Sequence, residues 1–357
     1  MKRSSSRGAA IGALAGLFAA GALGGAGPAA AAPPASYLDN PGRPDAWSGG
    51  ARRIEIDTPL GKQHVWTKRV GNNPKLKLLL LHGGPGATHE YLEAFDSFLP
   101  AEGIEYYYYD QLGSGNADHP TDPSLWTTAR FVEEVEQVRK ALGLSRDNFC
   151  LFGHSWGGVL GIEYALKYGQ NLKCLVISNM MASIPAYNAY AETVLMPQMD
   201  PAKLAEAKAM EAAGKTSDPR YMEILFPMHY ERHILQRPAA EWPEPVTRSF
   251  AHLNGELYTL MQGPSELGAS GRLADWDRFD DLAKITTPTL VIGARHDTMD
   301  PNHMAAMSRK LPNGRLLILP DGSHMAMYDD QQRYFAGLTA FLKQVEAGAG
   351  AGARGRR

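Results

Sequence analysis

Residues 149–160 read FCLFGHSWGGVL: an apolar run, then Gly-His-Ser-Trp-Gly-Gly, then apolar residues again. Glycine accepts positive φ and lets backbones approach closely. Gly153 and Gly157 around Ser155 therefore point to a turn too tight for side chains on either side, where a buried strand gives way to a buried helix. Such a turn holds its serine at the apex, exposed, in the position a nucleophile needs.

On either side of this stretch the chain repeats one pattern. KLKLLLLHGG (75–84), GIEYYYYDQ (103–111), NFCLFGHS (148–155), NLKCLVISN (171–179), TPTLVIGARHD (287–297) and NGRLLILPD (313–321) are apolar runs bounded by turn residues. Helical patterns such as TTARFVEEVEQVRKALGL and GGVLGIEYALKYG lie between most of them. Near-continuous apolar strands alternating with helices predict an α/β fold, a mostly parallel sheet covered on both faces. Ahead of it, RRIEIDT and KQHVWTKRV flank Pro59-Leu60-Gly61 and predict a hairpin. Tyr106 to Tyr109 are β-formers and read as sheet packing.

Residues 183–282 break the alternation: long, rich in Met, Pro, Tyr and Glu, and helical by pattern. We read them as a cap between a first core part, 38–182, and a second, 283–345, with the last dozen residues, 346–357, as a disordered tail. At the other end, Lys2, Arg3 and Arg7 precede a small-residue apolar stretch and a run of alanines, the order of a secretory signal peptide over 1–31. Removing it takes the formal charge from −2 to −5, so neither nucleic acid nor, after cleavage, a membrane is an expected partner. Cys150 and Cys174 are too few for a disulfide scaffold and read as buried thiols, since neighbouring parallel strands rarely offer bridge geometry.

In a doubly wound sheet ligands gather outside the carboxyl ends of the strands. Ser155, Asp297 and His324 all follow strands there, in the chain order of α/β-hydrolases. A serine hydroxyl is a weak nucleophile until an imidazole takes its proton, and that imidazole needs a carboxylate to hold its tautomer and stabilise its charge. The oxyanion that forms on the attacked carbonyl calls for backbone donors, expected from Trp156 and from Gly84 in the loop His82-Gly83-Gly84-Pro85-Gly86. Asp300 and His303 are weaker rivals for acid and base: Asp300 lies farther from the strand end and His303 within a helix. His229 and His233 stand at helical i, i+4 spacing, but no third ligand is evident and we expect no metal there. Asp110-Gln-Leu-Gly-Ser-Gly115 lacks a phosphate loop's lysine and reads as a structural turn; no cofactor is expected.

Together HGGPG (82–86), YYDQLGSG (108–115), GHSWGG (153–158), an Asp after GARH and GSHMAMY (322–328) resemble the proline iminopeptidase family of α/β-hydrolases, in particular its branch similar to the tricorn-interacting aminopeptidases. The resemblance implies a helical cap before the acid-bearing strand and cofactor-independent removal of an N-terminal residue, often proline, from a small peptide or amino-acid amide with a free N-terminus. It also implies cap carboxylates that grip the substrate's amine. Glu266 best matches one of them, and Glu231 or Glu241 would be a second. Tyr187, Phe226, Met228 and Tyr230 would shape an apolar pocket or form the cap's own core. The leading expectation is a secreted serine aminopeptidase; an amidase or esterase with the same triad is the alternative, and a non-catalytic binding protein a third.

Overall fold

The structure, a computed structural model, describes Tyr37 and residues 49–348. The proposed signal peptide and all but the first three residues of the tail lie outside them; of those three, Glu346 is still helical.

An eight-stranded sheet runs in the order β1-β2-β4-β3-β5-β6-β7-β8. β1 (Ala51–Thr58) and β2 (Gly61–Val70) form the expected antiparallel hairpin, and β2 continues antiparallel onto β4 (Glu105–Asp110). β3 (Lys77–Leu81), β5 (Phe149–His154), β6 (Cys174–Ser178), β7 (Thr289–Ala294) and β8 (Gly314–Leu319) extend it in parallel from β4. Side chains alternate across a strand, so a run apolar at every position feeds both faces. Leu79, Leu81, Tyr107, Tyr109, Leu151 and Ile177 pack on one face, with α1 (Thr128–Ala141) and α2 (Trp156–Tyr168). Leu78, Leu80, Tyr106, Tyr108, Phe152 and Val176 pack on the other, with α10 (Gln331–Glu346).

Register overturns one expectation. Cys150 and Cys174 are paired residues on adjacent parallel strands, their Cα atoms 4.6 Å apart, and they form a disulfide rather than two thiols. Because they sit directly opposite on one face, their sulfurs meet at a separation that a bridge accepts.

The cap leaves the sheet after β6 and returns before β7. It comprises α3 (Ile184–Tyr190), α4 (Pro201–Ala212), α5 (Pro219–Leu225), a π-helical segment Phe226–Ile234, α6 (Glu244–Ala251) and α7 (Gly255–Met261). It has no separate core: Tyr187, Leu257 and Met261 join one face's cluster, and Tyr221, Tyr230, Trp242 and Val246 the other's. Polar contacts fix it further. Arg248 on α6 pairs with Glu93 (2.6 Å) and His252 with Glu90 (2.9 Å), while the Asn254 N–H donates to the Gly86 carbonyl (2.9 Å). After β7 come α8 (Pro301–Lys310) and, beyond β8, a one-turn α9 (Ala326–Asp329).

Candidate active site

β5 ends at His154 and α2 begins at Trp156, which leaves Ser155 alone to turn the chain. Its φ of 54° and ψ of −125° are a conformation that side-chain-bearing residues rarely adopt and that costs about 1–3 kcal/mol. The flanking glycines explain how the chain tolerates it. A Cβ on Gly153 would run into the Gly157 carbonyl, and one on Gly157 into that of Leu81. The Ser155 hydroxyl does not cap the helix it precedes.

Asp297 and His324 come from the loops after β7 and β8. Their side chains meet at 2.8 Å, His324 Nδ1 to Asp297 Oδ1, and both are almost fully buried. The nitrogen bonded to the carboxylate carries the proton, which leaves the lone pair on Nε2. Burial alone would lower the pKa of His324; the charge and hydrogen bond of Asp297 outweigh it and hold it above the ordinary histidine value. Asp297 is itself pinned: Oδ1 accepts the Met299 N–H (3.1 Å) and Oδ2 the side-chain amide of Asn179 (2.7 Å). Asp300 instead caps α8 through the Asn302 N–H (2.8 Å), and His303 lies within that helix.

Ser155 and His324 line one cavity of about 270 Å³. Gly84, at φ 95°, lines it too, beside Gly83. The Gly83 N–H donates to the Tyr91 hydroxyl (2.6 Å), so Gly84 is the candidate donor in this loop. Trp156 is the first residue of α2, where a backbone N–H has no partner within the helix. Its indole donates to Gln111 Oε1 (2.9 Å), and the Gln111 amide donates to the His82 carbonyl (3.2 Å), so the DQ-x-G-S-G turn ties together the two segments that carry the candidate oxyanion donors. Asp110 holds that turn together by accepting from His89 and Asn116.

The cap closes the cavity with Met222, Tyr230, Ile234, Phe250, Leu253 and Tyr258, and Glu266 supplies the carboxylate among its lining residues. Tyr258 donates to Glu266 Oε1 at 2.5 Å. Burial, then the Glu266 charge, pushes the Tyr258 hydroxyl well above its usual pKa, so it remains a donor. The expected second carboxylate, Glu231 or Glu241, is not among the residues lining this cavity. Glu231 does not join the cavity: its carboxylate accepts the Ala239 N–H (2.7 Å), because neighbours on a helical segment diverge and Tyr230 takes the inward direction. Glu241 is exposed. Of the four pocket candidates only Tyr230 lines the cavity, while Tyr187, Phe226 and Met228 pack in the clusters that the cap shares with the sheet.

Sequence reasoning missed Asn179, Tyr91 and His154. Asn179 sits at φ 54° just past β6, and an Asn at a parallel strand's carboxyl end was a usable signal. His154 donates from Nε2 to the His324 carbonyl (2.8 Å) and accepts at Nδ1 from Tyr91 (2.9 Å), which links the oxyanion loop, the serine turn and the histidine loop. Burial, then the His324 charge, lowers its pKa to about 3 and keeps it neutral. No cluster of metal-ligating side chains occurs among the described residues.

A family model described as alpha/beta hydrolase fold matches residues 78–331, and the strand order and serine turn agree: this is an α/β-hydrolase. Within that class, the proline iminopeptidase of Flavobacterium johnsoniae is 54% identical over 292 residues, 82% of this chain and 98% of that one. That of Elizabethkingia meningoseptica is 55% identical over 295 residues, with the same coverage. Among solved structures, the proline iminopeptidase of Mycobacterium smegmatis superposes with a TM-score of 0.73 at 31% identity, covering 84% of this chain and 99% of its own. VinJ gives 0.75 at 29% identity over 82% and 99%. The chain belongs to the proline iminopeptidase family, and it is a hydrolase.

Proposed function

We propose that the protein is a serine aminopeptidase that releases an N-terminal residue, preferentially proline, from small peptides or amino-acid amides. The observation that carries this reading is that Glu266 faces the same cavity as Ser155 and His324. A protonated amine entering a largely apolar pocket needs a paired negative charge there, and Glu266 is the carboxylate among the residues that line it.

Ser155 Oγ attacks the carbonyl of the first residue as His324 Nε2 takes the hydroxyl proton, and Asp297 stabilises the imidazolium. The N–H groups of Gly84 and Trp156 hold the oxyanion. Collapse breaks the C–N bond, with the His324 proton passing to the leaving amine. Water then attacks the acyl-serine, giving up a proton to His324, and the free amino acid leaves as Ser155 regains its proton. Every step uses side chains and backbone of this chain, and the reading needs no cofactor. Residues 1–31 are read as an export signal, so the mature enzyme acts outside the cell; N-terminal sequencing of protein recovered from culture medium tests that, expecting a start close to residue 32.

The function is tested by rates on a prolyl arylamide with a free amine, the same compound N-blocked, and a short-chain aryl ester. Turnover of the free-amine compound, and little of the blocked one, is the expected result. Comparable turnover of the blocked amide or the ester, with little on the free amine, would make the protein an amidase or esterase with the same triad. Ser155→Ala should abolish turnover of all three while the protein stays folded; a binding protein would show none from the start.

A further inference from the structure

The two histidines of His229-Tyr-Glu-Arg-His233 belong to no cluster of metal-ligating side chains among the described residues, and both are buried on the cap's π-helical segment Phe226–Ile234. Each makes one defined hydrogen bond. His229 Nε2 bonds the Glu266 carbonyl (2.9 Å), and His233 Nδ1 bonds the carbonyl of His296, the residue before Asp297 (2.9 Å). A carbonyl only accepts, so both rings must donate, and their tautomers are fixed. Burial keeps each neutral: the pKa of His229 falls to about 3, with the neighbouring His233 adding to the effect, and that of His233 falls below its ordinary value.

The same segment holds the base. The His324 N–H donates to the His233 carbonyl (2.9 Å), and the Met325 N–H and Ser323 hydroxyl donate to the Ile234 carbonyl (2.8 and 2.9 Å). The Glu266 carbonyl also accepts from Tyr187 and from Thr298, the residue after Asp297, and the Glu266 N–H donates to the Tyr230 hydroxyl (3.2 Å). One cap segment thus touches the backbone of the amine-facing glutamate, the acid loop and the base loop. His229 Nδ1 is buried with no partner, a desolvation penalty that a leucine of similar size would avoid. The polar contact that a histidine gains there is the donor it aims at Glu266.

We propose that His229 and His233 are positioning residues of this enzyme: His229 fixes the stretch carrying the Glu266 carboxylate, and His233 fixes the Asp297 and His324 loops. The His229 half rests on the reading that Glu266 receives the substrate's amine. The two acts are separable, because one serves binding of a charged group and the other serves the chemical step.

The test uses the full enzyme with prolyl 4-nitroanilide and 4-nitrophenyl acetate. His229→Leu is expected to raise KM for the anilide at least about tenfold more than for the ester, the scale of one lost hydrogen bond to a charge-bearing site. In His229→Gln the amide N–H stands in for Nε2, and KM should return to within about threefold of wild type. His233→Leu should lower kcat at least about tenfold on both substrates, with His233→Asn, whose amide mimics Nδ1, restoring most of it. Leucine and amide variants that behave alike, or His229→Leu losing equally on both substrates, would overturn the proposal. Should thermal unfolding show that His229→Leu does not fold, Tyr187→Phe removes another donor from the same carbonyl, and an unchanged anilide KM there overturns the His229 half. A wild type active on the ester and inert on the anilide would sink the amine reading instead, leaving the His233 half to be judged on the ester.

Discussion

At the scale of single residues, the site works by setting two charges against burial. Burial by itself would keep His324 neutral, yet the Asp297 carboxylate at 2.8 Å holds its pKa above the ordinary histidine value. In the proposed mechanism a protonated His324 cannot take the Ser155 proton, so activity is expected to fall as pH drops through that raised value. Measured on the aryl ester, where no substrate amine titrates, kcat/KM should reach half its plateau at a pH above about 6.5. Asp297→Asn should move that midpoint down, since it removes the charge that raised it. A midpoint unmoved by the substitution would separate the two groups. The second charge is Glu266. Glu266→Gln should weaken turnover of free-amine substrates by about 1–3 kcal/mol more than turnover of esters, checked by kcat/KM on the two substrate types. All three groups were named from the sequence, Asp297 and His324 because they follow strands and Glu266 through the family resemblance. Glu231 was expected beside it as a second amine-binding carboxylate, on a weaker match. What separated them was the direction of a side chain on a helix, and that is set by packing.

At the scale of elements, the strand-to-helix turn at Ser155 depends on backbones that nearly touch. Gly157 lies against the Leu81 carbonyl at the end of β3, the strand that leads into the Gly83-Gly84 loop. Gly157→Ala is therefore expected to force α2 from β3, destabilise the fold by about 1–3 kcal/mol and lower kcat as well, because the two proposed oxyanion donors sit on the two elements pushed apart. Urea midpoints compared with rates on the ester would show it. The strands themselves were legible because each is apolar at every position and closed by turn residues. The segment Phe226–Ile234 was legible as helical and as a histidine pair, but its π-helical turns were not. At its end the carbonyls of His233 and Ile234 accept from the backbone of the loop that carries His324, a contact no local pattern announces.

For the molecule as a whole, the cap and the sheet share cores, so the cap's contribution is inseparable from the sheet's packing. The Cys150–Cys174 bridge ties two central strands across 24 residues of chain. Closing a loop of that length in the unfolded state is worth about 2–4 kcal/mol, so replacing both cysteines with alanine should lower the free energy of unfolding by that amount. Urea titrations of the wild type with and without reductant, beside the double variant, provide the check. Kinetics on the prolyl substrate should change little, as the bridge joins β5 and β6 near their starts, away from the strand end that leads to Ser155, and neither cysteine lines the cavity.

The sequence by itself determined the parallel sheet with its hairpin, the helical excursion after β6, and the serine turn with an acid and a base at later strand ends. These are local patterns, a period of apolar residues or a glycine beside a nucleophile, and local physics is written in consecutive residues. Only the tertiary structure decided that Cys150 faces Cys174, that Asn179 holds Asp297, that His154 joins Tyr91 to the His324 backbone, and that Glu266 rather than Glu231 looks into the cavity. Each of those depends on strand register or on which way a helical side chain points. Both are settled when distant parts of the chain pack together.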